Sequence, residues 1–314
     1  MGKFDQFKVW LECKRTGRMK EYESYKKSLE SNQYDINRFR KYIEDATRYF
    51  EDVKQKFPEG SKEYIEARDK IYRWKHSLDE ALLARRFIRP NSDEDIEYRR
   101  VQCETFESKL QSVLSTNLDL RFHGTPIYFA EQIIRQGSIS STADRYDGYI
   151  KSTDMIGEIS ASNRNSIGRT INFFSDMGSY YRSLPAGCIF AVFPKDKEDA
   201  EYGQDLLHSV DFKTNPSRLF GIFTTPENIE NVKSWMKEVG FNPDIVYTFE
   251  QFLQVVKIQS KSIDEQVKFD STVGVDSTVL GEIQRLESEP VKSEPPENLG
   301  NLGKEEEYKW NLKW

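Results

Sequence analysis

The segment Leu120-Arg121-Phe122-His123-Gly124-Thr125-Pro126 brings a guanidinium, an imidazole, a side-chain-free glycine and a hydroxyl onto a few adjacent residues. An apolar stretch follows, and after Gly148 comes Tyr149-Ile150-Lys151-Ser152-Thr153-Asp154, with two neighbouring hydroxyls. A planar guanidinium grips phosphate oxygens or ribose hydroxyls through paired N–H bonds. A glycine lets a ligand approach the backbone, and hydroxyls steady the groups that touch it. Together these are tools for holding a dinucleotide.

The elements that must position them lie on either side of a change in texture. Up to residue 116 the chain reads as helical. Ile36, Phe39, Ile43, Ala46, Phe50, Val53 and Phe57 alternate by three and four, the seam of packed helices. Pro58-Glu59-Gly60-Ser61 breaks that helix, and a second seam at Tyr64, Ala67, Ile71, Trp74, Leu78 and Ala81 predicts an antiparallel hairpin. Ser92 with Asp95 N-caps a third helix carrying Ile96, Cys103, Phe106, Leu110 and Val113. Two short amphipathic helices precede these, one marked by Phe4, Phe7, Trp10 and Leu11, the other by Tyr22, Tyr25 and Leu29. Aromatics at such positions are core residues, and the Lys and Glu between them form a solvated face.

From Asn117 onward, short β-type runs are punctuated by Gly and Pro. Strands are expected at Leu118 to His123, Tyr149 to Thr153, Thr170 to Phe174, Cys188 to Phe193, Leu206 to Phe212 and Leu219 to Thr224. Helices are expected at Ile127 to Arg135, Ile156 to Asn163, Pro226 to Val239 and Phe249 to Val256, the last opened by a Thr248/Gln251 capping box. Beyond Gln259 the periodicity fades, and Ser288 to Pro296 is rich in Pro, Glu and Ser. The expected organisation is α+β: a helical bundle over 1–116, a ligand-binding domain over 117–258, and a polar, largely disordered tail over 259–314.

Composition excludes several classes. A net charge of −6 and a pI near 5.4 leave no overall basic footprint for nucleic acid. Three cysteines without metal-ligand spacing argue for a reducing compartment, and no metal site is expected. Charged residues at 31% and a mean hydropathy of −0.73 point to long solvated helices or disorder. The first residues lack an apolar signal core, and no run approaches the roughly 18 apolar residues of a membrane span, so a soluble chain without a membrane partner is expected. Neither a Gly-x-Ser-x-Gly elbow nor a phosphate loop nor a Rossmann glycine fingerprint occurs.

A first strand with Arg or His-Gly-Thr, then a helix, a Gly and a strand bearing Ser-Thr, resembles the ADP-ribosyltransferase superfamily over roughly residues 117–256. The resemblance implies a split two-sheet NAD-binding domain, with NAD as substrate. Arg121 and Ser152-Thr153 match its arginine-specific branch, with Asp154 in place of a second Ser. His123-Gly124-Thr125 matches the polymerase-like branch, and Tyr149 stands in for that branch's stacking Tyr. Arg121, His123, Gly124, Thr125, Tyr149, Ser152 and Thr153 are the implied NAD contacts, and Arg121, Ser152 and Glu201 the implied catalytic set. No Glu-x-Glu precedes a late strand, so Asp205, Glu198 and Glu158 remain alternatives to Glu201 as the acid.

The implied activity is transfer of ADP-ribose from NAD to a side chain of a target protein, one belonging to a host. An NAD glycohydrolase and a DNA-directed transferase are the rivals on the same fold, and a non-catalytic interaction protein is the rival of another class. Lys304-Glu305-Glu306-Glu307-Tyr308-Lys309 resembles the acidic block near the C-terminus of effectors exported by bacterial type IV systems. That implies secretion into a host cytoplasm without a cleaved signal peptide, the alternative being a cytoplasmic chain. The helical bundle is then a docking surface or a support.

Overall fold

A helix of 38 residues, α2 (Met19–Lys56), dominates the N-terminal part of the chain. The computed structural model describes residues 3–140, 158–163, 167, 184–194 and 206–273. In it the expected Tyr22 and Ile36 helices are one, because neither Gly nor Pro interrupts the residues between Leu29 and Ile36. The short helix α1 (Lys3–Arg15) precedes it. After the break at Pro58, α3 (Lys62–Arg85) folds back along α2, capped by Ser61, whose hydroxyl accepts from the Tyr64 N–H at 3.3 Å. The seam holds as expected: Ile36, Phe39, Leu78 and Ala81 form a buried cluster against which Ile43 and Trp74 pack. Buried Asn32 pins the hairpin, donating to the Ala81 carbonyl at 2.8 Å and accepting from Arg85 at 3.1 Å.

Helix α4 (Asp93–Val113) starts at the expected Ser92 cap, whose hydroxyl accepts from the Asp95 N–H at 3.0 Å. The sheet then begins with β1 (Arg121–Thr125) and α5 (Ile127–Gln136). Next come the strands β2 (Ser138–Ile139), β3 (Glu158–Ser160), β4 (Cys188–Val192), β5 (Leu206–His208), β6 (Val210–Asp211) and β7 (Leu219–Phe223). Helix α6 (Pro226–Glu238), β8 (Val246–Tyr247) and α7 (Phe249–Val273) complete the order. The main sheet runs β1-β4-β7-β8, antiparallel except for the β7–β8 pair, which the α6 crossover makes parallel. β2 pairs with β6 and β3 with β5 as separate two-stranded ladders. The class is α+β.

Strand β4 is buried on both faces, which is why Cys188-Ile189-Phe190-Ala191-Val192 is apolar throughout. Cys188, Phe190 and Val192 join the larger core with α5 and α6 residues, while Ile189 and Ala191 join a second core with Phe106 of α4 and Phe249 and Phe252 of α7. Tyr25 and Leu29 of α2 and Ala84 of α3 belong to that larger core. Residues Met1–Glu265 are accordingly one compact unit, and the position 116/117 lies inside it. The second unit, Gln266–Trp314, is described only through the last turns of α7.

Three further expectations change. The segment Ile156 to Asn163, read as helix, contains β3: pairing of Glu158, Ile159 and Ser160 with His208, Leu207 and Leu206 overrides local propensity. Leu206 to Phe212, read as one strand, is divided at Ser209 between two partners, β3 and β2. Helix α7 opens on the expected box, with the Gln251 N–H donating to Thr248 Oγ1 at 3.2 Å and the Thr248 N–H to Gln251 Oε1 at 2.9 Å. It then runs to Val273, past the boundary at 258, and its Ser260 and Asp264 hold Ser115 and Asn117 at 2.5–2.9 Å. Among the described residues no helix is long and apolar enough to cross a membrane.

Candidate functional site

Strand alternation puts Arg121, His123 and Thr125 on one face of β1, while Phe122 turns to the other and enters the core of α4 and α7. In register they stand opposite Val192, Phe190 and Cys188, all residues of the larger core. Gly124 lies between His123 and Thr125, opposite Ile189. Arg121 is 5% exposed, with its Nε 3.3 Å from Oδ1 of the half-exposed Asp119. Thr125 is buried as well, whereas His123 and Gly124 are half-buried and form the reachable part of the motif. Pro126 then starts α5, which Gly137 ends in the left-handed conformation at φ 73°, its N–H capping the Ile133 and Ile134 carbonyls.

The free edge of β1 is met by the chain that leaves β3. Phe122 and Ser162 exchange both backbone hydrogen bonds, at 2.8 and 2.9 Å. Two residues earlier, Ser160 pairs with Leu206, the residue that follows Asp205. The Arg121 strand, the 158–163 segment and the strand after the candidate acids are therefore laced side by side. Tyr149, Ser152 and Thr153 lie outside the described residues, as do Glu198, Glu201 and Asp205. Glu158 stands on β3, in register with His208 of β5.

Cys188, opposite Thr125, is fully buried, and burial pushes its thiol up to about 12. It stays a neutral packing residue. Cys13 is buried and Cys103 half-buried, and all three cysteines are free thiols. His76 is set on α3, its ring stacked on Phe129 at 6.1 Å, away from β1's own histidine in sequence and element. Among the described residues, no group of three or more His, Cys, Asp or Glu side chains is placed to hold a metal ion.

A second polar constellation lies at the entry to β4. Leu184-Pro185-Ala186-Gly187 leads into β4, and its carbonyls are held from two helix starts. Asn91 Nδ2 donates to the Leu184 oxygen at 2.9 Å and Arg99 Nη1 to the same oxygen at 3.3 Å, while Asn228 Nδ2 donates to Ala186 at 3.0 Å. Arg99 also pairs with Asp95 through Nε–Oδ2 at 2.8 Å and through its Nη2. Arg89 bridges Glu227 and Asn228, each at 2.9 Å. Partial burial raises the Glu227 carboxyl above its usual range, Arg89 partly offsets this, and the nearby charge of Asp95 adds to it. The signal in the sequence was Asp95 and Arg99 at helical i, i+4 spacing, after Arg89-Pro90-Asn91. The cluster fixes the entry into β4 and so the strand opposite Arg121 and His123.

No family model, no curated protein and no solved structure matches this chain.

Proposed function

We propose that this chain is a mono-ADP-ribosyltransferase that takes NAD and passes ADP-ribose to a side chain of a host protein. One observation carries the reading: Arg121, His123 and Thr125 share a face of one strand with Gly124 between them, followed directly by a helix. In this reading His123 and the Gly124 backbone meet the ribose and carboxamide of NAD. Buried Arg121 fixes the strand that carries them, and in this reading its guanidinium charge also stabilises the diphosphate. Tyr149, Ser152 and Thr153 complete the nucleotide contacts, and Glu201 takes the ribose 2′-hydroxyl, with Asp205, Glu198 and Glu158 as its alternatives.

The chemistry breaks the bond between ribose C1′ and the nicotinamide nitrogen, and nicotinamide leaves with the bonding electrons. The ribosyl carbon gains positive charge that a carboxylate stabilises, an acceptor atom bonds to C1′, and its proton passes to that carboxylate. Action on a host protein requires export, and the acidic run Glu305-Glu306-Glu307 supports that part of the reading.

The test is incubation of the full chain with cell lysate and NAD labelled on its adenylate, comparing the wild type with Glu201→Ala and Arg121→Lys. A discrete labelled band that both variants lose is the expected result, since lysine keeps the charge of Arg121 but not its paired geometry. Nicotinamide release without a band assigns water as the acceptor and makes the protein a glycohydrolase. Failure to bind NAD overturns the proposal.

A further inference from the structure

On a helix, Phe4, Phe7 and Leu11 stand at i, i+3 and i+7 and share one side of α1. All three are exposed, at 68%, 54% and 51%. The opposite side of the helix is anchored: Cys13 is buried, and Val9 packs against the larger core. One side of α1 is thus held by the protein while a second apolar side is turned outward. Trp10 borders the outward side, its ring 5.6 Å from that of Phe7.

Cations flank this stripe. Lys8 Nζ lies 4.5 Å from the Phe4 ring and Lys14 Nζ 4.8 Å from the Trp10 ring, and Arg15 is exposed in the last turn. The helix holds four basic and two acidic residues, in a chain whose net charge is −6. Asp5 and Glu12 fall to one side of the stripe on the helical wheel, and Glu12 is paired with Arg18 at 3.1 Å. An apolar stripe edged by tryptophan and by lysines whose ammonium groups sit beside aromatic rings is the make-up of a helix lying in a bilayer interface. Anionic headgroups supply the charge that complements it.

We propose that α1 seats this protein on an anionic membrane surface. Phe4, Phe7 and Leu11 enter the boundary between headgroups and acyl chains, Trp10 lies at headgroup level, and Lys8, Lys14 and Arg15 meet lipid phosphates. The sequence expectation of no membrane partner rested on the missing spanning segment, and a helix lying in the interface needs none. With three inserting side chains the attachment is reversible, and it is independent of any reaction with NAD.

The test is co-sedimentation of the full chain with phosphatidylcholine vesicles, and with vesicles in which roughly a third of the lipid is phosphatidylserine. Binding at least ~10-fold tighter to the anionic vesicles is expected, falling as salt is raised to about 0.5 M. Phe7→Glu/Leu11→Glu should lose at least ~10-fold in binding while keeping the wild-type circular dichroism and Tm, because both side chains are exposed. Lys8→Glu/Lys14→Glu should lose the preference for anionic lipid. The proposal is overturned if the wild type ignores anionic vesicles or if Phe7→Glu/Leu11→Glu binds equally well. It is also overturned if the wild type is a dimer that this double variant dissociates, which would assign the stripe to a second copy.

Discussion

Replacing Arg99 with Met tests how the entry into the central strand is held. Its side chain is 7% exposed and that of Asp95 4%, so the ion pair between them is screened from water. Removing the guanidinium strands a buried carboxylate beside Glu227, and breaking a buried pair from one side costs about 3–5 kcal/mol. The lost hydrogen bond to the Leu184 carbonyl adds ~1 kcal/mol. For a unit of this size each kcal/mol moves the thermal midpoint by about 2–4 °C, so Arg99→Met should lower Tm by at least ~6 °C. Arg99→Met/Asp95→Leu removes both charges and should recover most of the loss, because a buried pair against an apolar replacement is close to neutral. Scanning calorimetry and urea denaturation of the two single variants and the double variant give the coupling, expected at ~2 kcal/mol or more. A single variant within about 1 kcal/mol of wild type, or a double variant as unstable as the sum of the singles, would refute the reasoning.

Glu227→Gln isolates the raised carboxyl at the same junction. The folded chain binds that proton more readily than the unfolded chain, so its contribution is fully present below the ordinary glutamate value of about 4.3 and is lost as pH rises through the folded value. Denaturation across that window should show the wild type losing stability relative to Glu227→Gln as pH rises, and a wild type that gains instead contradicts the assignment. Gly137→Ala places a Cβ 2.6 Å from Lys213 Cβ at a residue with φ +73°. It should destabilise by more than ~1 kcal/mol, seen as a lower urea midpoint, whereas an unchanged midpoint would mean that the α5 terminus relaxes freely.

What the sequence disclosed follows from how local each signal is. The Ile36 and Tyr64 seams, the Pro58 break, the Ser92 cap and the Thr248/Gln251 box depend on neighbours a turn or so away, and the structure holds them as read. Strand β3 does not show in the sequence because Glu158-Ile159-Ser160 is too short to carry a period, and its strand character comes from Leu206–His208, far along the chain. β2 and β8 have two residues each and leave no pattern at all. The Arg121 motif was found because its residue types are adjacent. The Asp95–Arg99–Glu227 junction was not, because its members come from two helix starts that only the packed sheet brings together. The outward stripe of α1 was visible as Phe4, Phe7 and Leu11, yet periodicity alone does not tell which apolar side of a helix meets the core.

Whether the Arg121 strand binds a dinucleotide is decided by calorimetric titration of the purified chain with NAD, with nicotinamide release followed on the same sample and His123→Ala as the comparison. Saturable binding and release are expected in the wild type, with at least ~10-fold weaker binding in His123→Ala at an unchanged Tm, because His123 is half-buried and its strand is held by Arg121 and Phe122. Absence of NAD binding, or equal binding by wild type and His123→Ala, would contradict the proposed function.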